Sequence, residues 1–247
     1  MKHLLLILFA LVSILFTGCG GGGSSDNNST ANGNKVVRIM PLGDSITYDY
    51  ANAYYDSNGR MLVPIGKRTG YRAFLAYDLN DAGVKYDFVG SRRAGYDVKP
   101  PFDPDNEGYP GATSWDIANH VYEFLVKNPA DVILLHIGTN DRAGGRVDGT
   151  EKILNEIKRY EKDSHRHIKV FVALIINRLF WDRTIEKYNN NLKAMLERRN
   201  DPEIYIVDMS HLLNHDDYLE DYHPNKKGYK KMADKWFIAL MDSGVFN

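Results

Sequence analysis

Cysteine is almost absent from this chain: Cys19 is the only one among 247 residues. A single thiol cannot close an intramolecular disulfide, so the fold has to be held by a packed core rather than by cross-links. An excess of either charge is also lacking. Lysine and arginine number 31 against 32 aspartates and glutamates, for a formal net charge of −1. The basic residues are scattered, which excludes the clustered cationic footprint of a nucleic-acid binder. No apolar run reaches the roughly 20 residues that a membrane helix needs. Phosphate-loop and dinucleotide glycine fingerprints are missing too, as is any internal repeat. No cofactor and no required metal are expected.

The apolar run at 4–16 follows Lys2 and His3 and ends in Thr17-Gly18-Cys19. A charged start, a short apolar stretch and small residues at the end are the pattern of an export signal. The small residues before Cys19 resemble the lipobox of bacterial lipoproteins, which implies a lipidated cysteine at a new amino terminus. Phe16 stands where leucine is usual. The alternative is a plain cleaved signal with an incidental cysteine, but that would leave an exported protein with a free thiol. Residues 20–34 open with four glycines and continue in Ser, Asn, Asp and Thr. They cannot build a core and read as a flexible tether. Gly20 in place of an aspartate implies, by the same resemblance, sorting towards an outer membrane or cell surface.

The remainder, 35–247, has the size of one domain. Apolar runs at 36–40, 86–90, 131–137, 168–176 and 204–208 read as strands, the third and fourth apolar enough to be covered on both faces. Stripes at helical spacing lie between them: Trp115, Ala118, Val121, Tyr122 and Leu125; Ile153, Leu154, Ile157 and Tyr160; Ile185, Tyr188, Leu192, Met195 and Leu196. A last stripe holds Tyr229, Met232, Ala233, Trp236, Phe237 and Leu240. Strand–helix alternation predicts an α/β fold, a three-layer α/β/α sandwich on a five-stranded parallel, flavodoxin-like sheet. Its site lies beyond the carboxyl ends of the strands.

Three such ends carry reactive side chains. Ser45, in Gly43-Asp44-Ser45-Ile46-Thr47, follows the first strand in a position suited to a nucleophile, although Gly-Asp-Ser also suits an ordinary turn. Asn140, in Gly138-Thr139-Asn140-Asp141, follows the third, and its amide can donate to an oxyanion. His223, in Glu220-Asp221-Tyr222-His223-Pro224-Asn225, follows the fifth and supplies a base, placed where Pro224 can open the final helix. Carboxylates two and three residues upstream can fix its tautomer. Gly111 offers a backbone N–H that no side chain screens, or simply a turn before the Trp115 helix. Asp44 and Asp141 are expected to brace these loops. Tyrosines 48, 50, 54, 55, 96 and 109 either stack on sugar faces or pack the loops down; the sugar reading is adopted.

Ser45 in G-D-S-I-T, Gly111 in Y-P-G-A-T, Asn140 in G-T-N-D and His223 in H-P-N resemble, in order and context, the four blocks of SGNH or GDSL-type hydrolases. The runs Arg38-Ile39-Met40-Pro41-Leu42, Gly70-Tyr71-Arg72, Asp87-Phe88-Val89-Gly90-Ser91 and 103–108 are similar to carbohydrate esterase family three. The resemblance implies a serine esterase that removes acetyl groups from polysaccharides such as xylan. It implies an oxyanion hole of Ser45, Gly111 and Asn140. It also implies an orienting acid three residues before the histidine, which here is Glu220 where the family has aspartate; Asp221 is the alternative. Residues 48–69 are an insertion relative to that family. A lipid esterase, lysophospholipase or thioesterase is the other enzymatic reading, and an idle surface sugar-binding lipoprotein a third. The partner is an acyl-ester or acetylated polysaccharide substrate, the chain a monomer, and contact with a membrane is through the lipid alone.

Other polar residues are read as structural. His136 is expected to be packed and hydrogen-bonded within the third strand, and His165 and His167 to face solvent. His211 and His215 lack metal-ligand spacing, and Asp103, Asp105 and Glu107 lack the full calcium-loop pattern. Cys19→Ser is expected to move the protein from membranes to a soluble fraction, since stable anchoring takes more than one acyl chain. Identical fractionation of variant and parent would contradict the assignment of the anchor.

Overall fold

The computed structural model describes residues 36–141 and 144–247. The expected signal segment with Cys19 and the expected tether lie outside the described residues. In chain order the elements are β1 (Val37–Gly43), α1 (Ser45–Tyr48), two 3-10 turns (Asn52–Tyr54 and Ile65–Lys67), α2 (Gly70–Asp81), β2 (Tyr86–Phe88), β3 (Arg92–Arg93) and β4 (Asp105–Gly108). Then come α3 (Ser114–Ala118), α4 (Val121–Lys127), β5 (Val132–His136), α5 (Asp148–Ser164), β6 (Lys169–Leu174), α6 (Arg183–Arg199) and β7 (Ile204–Asp208). A third 3-10 turn (His215–Asp217), β8 (Tyr218–Glu220), β9 (His223–Pro224) and α7 (Lys226–Asp242) complete the chain.

All five expected strands form, in the parallel order β2-β1-β5-β6-β7, which is the flavodoxin-like arrangement. The sheet has seven strands rather than five. β2 pairs only with the first half of β1, and β4 takes the second half through Leu42↔Glu107 and Gly43↔Gly108, with β3 antiparallel to β4. These extra strands read Arg-Arg and Asp-Asn-Glu-Gly and show no apolar alternation.

Alternation along the parallel strands divides the core. Met40, Leu42, Ile133, Leu135, Val170 and Val172 face the stripes of α3 to α6. Ile39, Val132, Leu134 and Phe171 face α2 and α7, whose Tyr71, Leu75, Leu79, Met232, Trp236 and Leu240 are fully buried. Burying each large apolar side chain contributes roughly 1.5–3 kcal/mol, and this double cover fixes the level at which the strands end. One member of the expected stripes escapes: Trp115 is half exposed, because α3 ends at Ala118 and α4 begins afresh at Val121.

Arg72 on α2 ties the site-bearing end together. Fully buried, it donates to the carbonyls of Thr47 (2.9 Å), Pro104 (3.1 Å) and Ala94 (3.2 Å), and its guanidinium lies over the Phe102 ring. These carbonyls belong to α1 and to the segments flanking β3 and β4. Removing the donor strands several buried acceptors at once, each worth ~1–3 kcal/mol. Arg72→Met is therefore expected to lower stability by on the order of 3 kcal/mol in urea unfolding. A loss below about 1 kcal/mol would show that these carbonyls find other donors.

Candidate active site

β1 and β5 run in register from Ile39↔Val132 to Gly43↔His136, so the turns that follow leave the sheet at one level. Gly43 is required there: a Cβ would sit 2.2 Å from the His136 carbonyl oxygen and 2.5 Å from Thr47 Oγ1. Asp44 then caps α1, its carboxylate accepting from the Ile46 N–H at 2.9 Å. Burial pushes the Asp44 carboxyl up to about 7, against the opposing pull of the Ile46 N–H and the Thr139 hydroxyl. Ser45 is the first residue of α1.

His223 comes from the opposite end of the chain. β8 and β9 form a small antiparallel hairpin with Glu220 directly paired to His223 and Tyr218 to Pro224. Asp221 and Tyr222 occupy its corner. Pro224 belongs to β9, and Asn225 rather than proline opens α7, its side chain accepting from the Lys227 and Gly228 N–H groups. The His223 Nε2 atom lies 2.9 Å from Ser45 Oγ, and its Nδ1 lies 2.7 Å from Glu220 Oε1. A carboxylate can only accept, so Nδ1 carries the proton and Nε2 is left to accept from the serine hydroxyl. Burial lowers the His223 pKa, and the neighbouring Glu220 and Asp49 carboxylates only partly offset it.

The structure therefore brings Ser45, His223 and Glu220 into one continuous chain of hydrogen bonds. Asp221 points elsewhere: its carboxylate pairs with the Arg178 guanidinium, which also pairs with Asp182 and lies 4.1 Å from the centre of the Tyr222 ring. Sequence reasoning missed Arg178, which no spacing or motif marks.

Asn140 and the Gly111 loop also meet. Asn140 Nδ2 donates to the Ala112 carbonyl at 2.9 Å, and the Asp141 carboxylate accepts from the Ser114 N–H at 3.1 Å, fastening the loop after β5 to the start of α3. Gly111 is exposed, adopts φ +82°, and would have open space around a Cβ. A cleft of about 320 Å³ beside this loop is lined by Thr139, Asn140, Arg178, Asp182, Thr184 and Tyr222.

Several other expectations are corrected. Tyr50, Tyr54 and Tyr55 gather their rings around the buried guanidinium of Arg68, and Tyr48 and Tyr109 flank Arg92. These tyrosines pack the loops; of the six, only Tyr96 is half exposed. Before α6, Phe180 is 71% exposed, whereas the half-exposed Trp181 stacks its ring on His211 with centroids 5.0 Å apart. His136 is fully buried, yet neither ring nitrogen has a hydrogen-bond partner among the described residues; burial lowers its pKa to about 4 and keeps it neutral. Asp103 accepts from the Phe88 N–H, Asp105 pairs with Arg93, and Glu107 accepts from the Ser91 N–H and the Tyr109 hydroxyl.

Residues 42–231 match the model of the GDSL-like lipase/acylhydrolase family. The chain is 30% identical over 235 residues to the multidomain esterase of Ruminococcus flavefaciens, an overlap of 83% of this chain and 28% of that longer protein. The fold is similar to that of a carbohydrate esterase family 3 protein from Talaromyces cellulolyticus, with a TM-score of 0.68, 26% identity, and coverage of 84% of this chain and 97% of that one. It is equally similar to the family 3 carbohydrate esterase of Clostridium thermocellum, with a TM-score of 0.68, 27% identity, and coverage of 84% and 96%. The chain belongs to the GDSL-like lipase/acylhydrolase family, a family of ester hydrolases.

Proposed function

We propose that the chain is a serine esterase that removes short acyl groups, acetyl foremost, from O-acetylated carbohydrate such as xylan. The observation that carries this reading is the hydrogen-bonded series Ser45–His223–Glu220 at the strand ends. In the proposed reaction, Ser45 Oγ attacks the acyl carbonyl while His223 Nε2 takes its proton. The negative charge that forms on the carbonyl oxygen is met by the N–H groups of Ser45 and Gly111 and by Asn140 Nδ2. One Asn140 amide hydrogen is committed to Ala112, which leaves the second for the oxyanion. Collapse expels the sugar oxygen, which receives the proton from His223. Water, with His223 again as base, then releases the acid and restores Ser45.

Two features favour a short acyl group on a sugar over a fatty ester. The cleft beside Asn140 is lined chiefly by polar and charged side chains, which would leave a long alkyl chain in unfavourable company. Phe180 stands open on the loop leading into α6, where the lining residues Arg178 and Asp182 also lie, and a flat ring suits a sugar face. On the same reading, lipid on Cys19 would hold the enzyme, as a monomer, at the cell envelope; that part rests on the sequence alone.

Ser45→Ala is expected to abolish hydrolysis of p-nitrophenyl acetate and acetate release from acetylated xylan while circular dichroism stays unchanged. Near wild-type turnover would refute the nucleophile. In the parent, turnover should fall from acetyl to octanoyl esters, and a maximum at octanoyl would favour a lipid esterase.

The pH profile has a defined sign. Only neutral imidazole accepts the serine proton, and burial holds the His223 pKa below the ordinary ~6.5. Activity should persist through pH ~6.5 and decline only below it. The limb should survive in Asp44→Asn, which separates it from titration of the buried Asp44 carboxyl, pushed up to about 7. A limb above pH ~6.5 would contradict the buried-base account.

A further inference from the structure

Glu220 does more than face His223. Its Oε1, already 2.7 Å from His223 Nδ1, also accepts the Asn52 N–H at 2.8 Å, and its Oε2 accepts the Ala53 N–H at 2.9 Å. Both amides belong to the 48–69 segment, which the family resemblance marks as an insertion, and lie in the first turn of its 3-10 segment, which has no side-chain cap of its own. The carboxylate is thus held from two sides, by the imidazole and by the rim of the site.

The insertion is built to hold those amides still. Asp49, buried with φ +65°, accepts from the Tyr54 hydroxyl (2.6 Å) and from the Thr69 (2.6 Å) and Gly70 (2.9 Å) N–H groups, clamping the two ends of the loop together. Buried Arg68 fills its centre, donating to the Val63 carbonyl and the Tyr55 hydroxyl beneath the three tyrosine rings.

We propose that the insertion is a positioning element of the catalytic site, with the Asn52 and Ala53 amides fixing the orienting carboxylate behind His223. Glutamate at position 220 and the insertion are then one device: the extra methylene carries the carboxylate far enough to bridge the imidazole and the rim. A shorter aspartate at 220 could serve His223 or the loop, not both. This inference rests on the reading of Ser45, His223 and Glu220 as a triad.

Asn52→Pro isolates the effect. Ala51 is extended (φ −139°, ψ 148°), the conformation favoured before proline, and Asn52 opens its turn, where proline is tolerated. The substitution removes one N–H and an exposed side chain. On p-nitrophenyl acetate, kcat is expected to fall about tenfold, equivalent to about 1.4 kcal/mol, with KM within about twofold. Glu220→Asp should lower kcat comparably while keeping a carboxylate at this position. In a Glu220→Ala background, Asn52→Pro should cost nothing further, because the amide has lost its acceptor. Wild-type kcat in Asn52→Pro or in Glu220→Asp would overturn the proposal. So would a loss from Asn52→Pro that persists in full without Glu220. Full activity in Ser45→Ala would instead overturn the triad reading, so the two failures are distinguishable.

Discussion

The site depends on β1 and β5 ending side by side. Their parallel register delivers Gly43 opposite His136, and the close approach of these backbones leaves no room for a Cβ at Gly43. Ser45 and the Asn140 loop therefore emerge next to each other. Core packing on both faces maintains that register, since a one-residue slip would turn Ile39, Leu134 and their neighbours to the wrong side of the sheet. The chemistry needs only short hydrogen bonds, but their geometry is set by apolar packing beneath them.

His223 reaches this point by a different route. Its β8–β9 hairpin pairs it with Glu220, so the distance from carboxylate to imidazole is set by strand pairing. Burial by itself favours the neutral ring, and the Glu220 carboxylate supplies the opposing charge for the imidazolium formed during attack. The Asn52 and Ala53 amides on the far side of that carboxylate restrain it further. Base strength and orientation are thus shared between a hairpin near the carboxyl terminus and a loop near the amino end of the domain.

Much of this was legible in the sequence. Five apolar runs identified the parallel strands, and their alternation with helices identified the three-layer, doubly wound class. Ser45, Asn140, Gly111 and His223 were marked by the turns that carry them. The family resemblance singled out Glu220 by its place three residues before His223, and the chain closes that gap by a hairpin. Polar strands escaped notice because Asp105-Asn106-Glu107-Gly108 pairs through its backbone while its side chains brace loops. The tyrosines misled for a related reason: composition shows rings in loops, but only the fold shows Arg68 and Arg92 drawing them inward. Contacts from Asn52 and Ala53 to Glu220 are made by backbone amides, which carry no residue-type signal.

The hydrogen bond from His223 Nδ1 to Glu220 is the centre of this account, and proton NMR observes it directly. A strongly hydrogen-bonded imidazole proton should appear far downfield in the parent, persist in Asp221→Asn and vanish in Glu220→Ala. Its loss in Asp221→Asn with retention in Glu220→Ala would contradict the account.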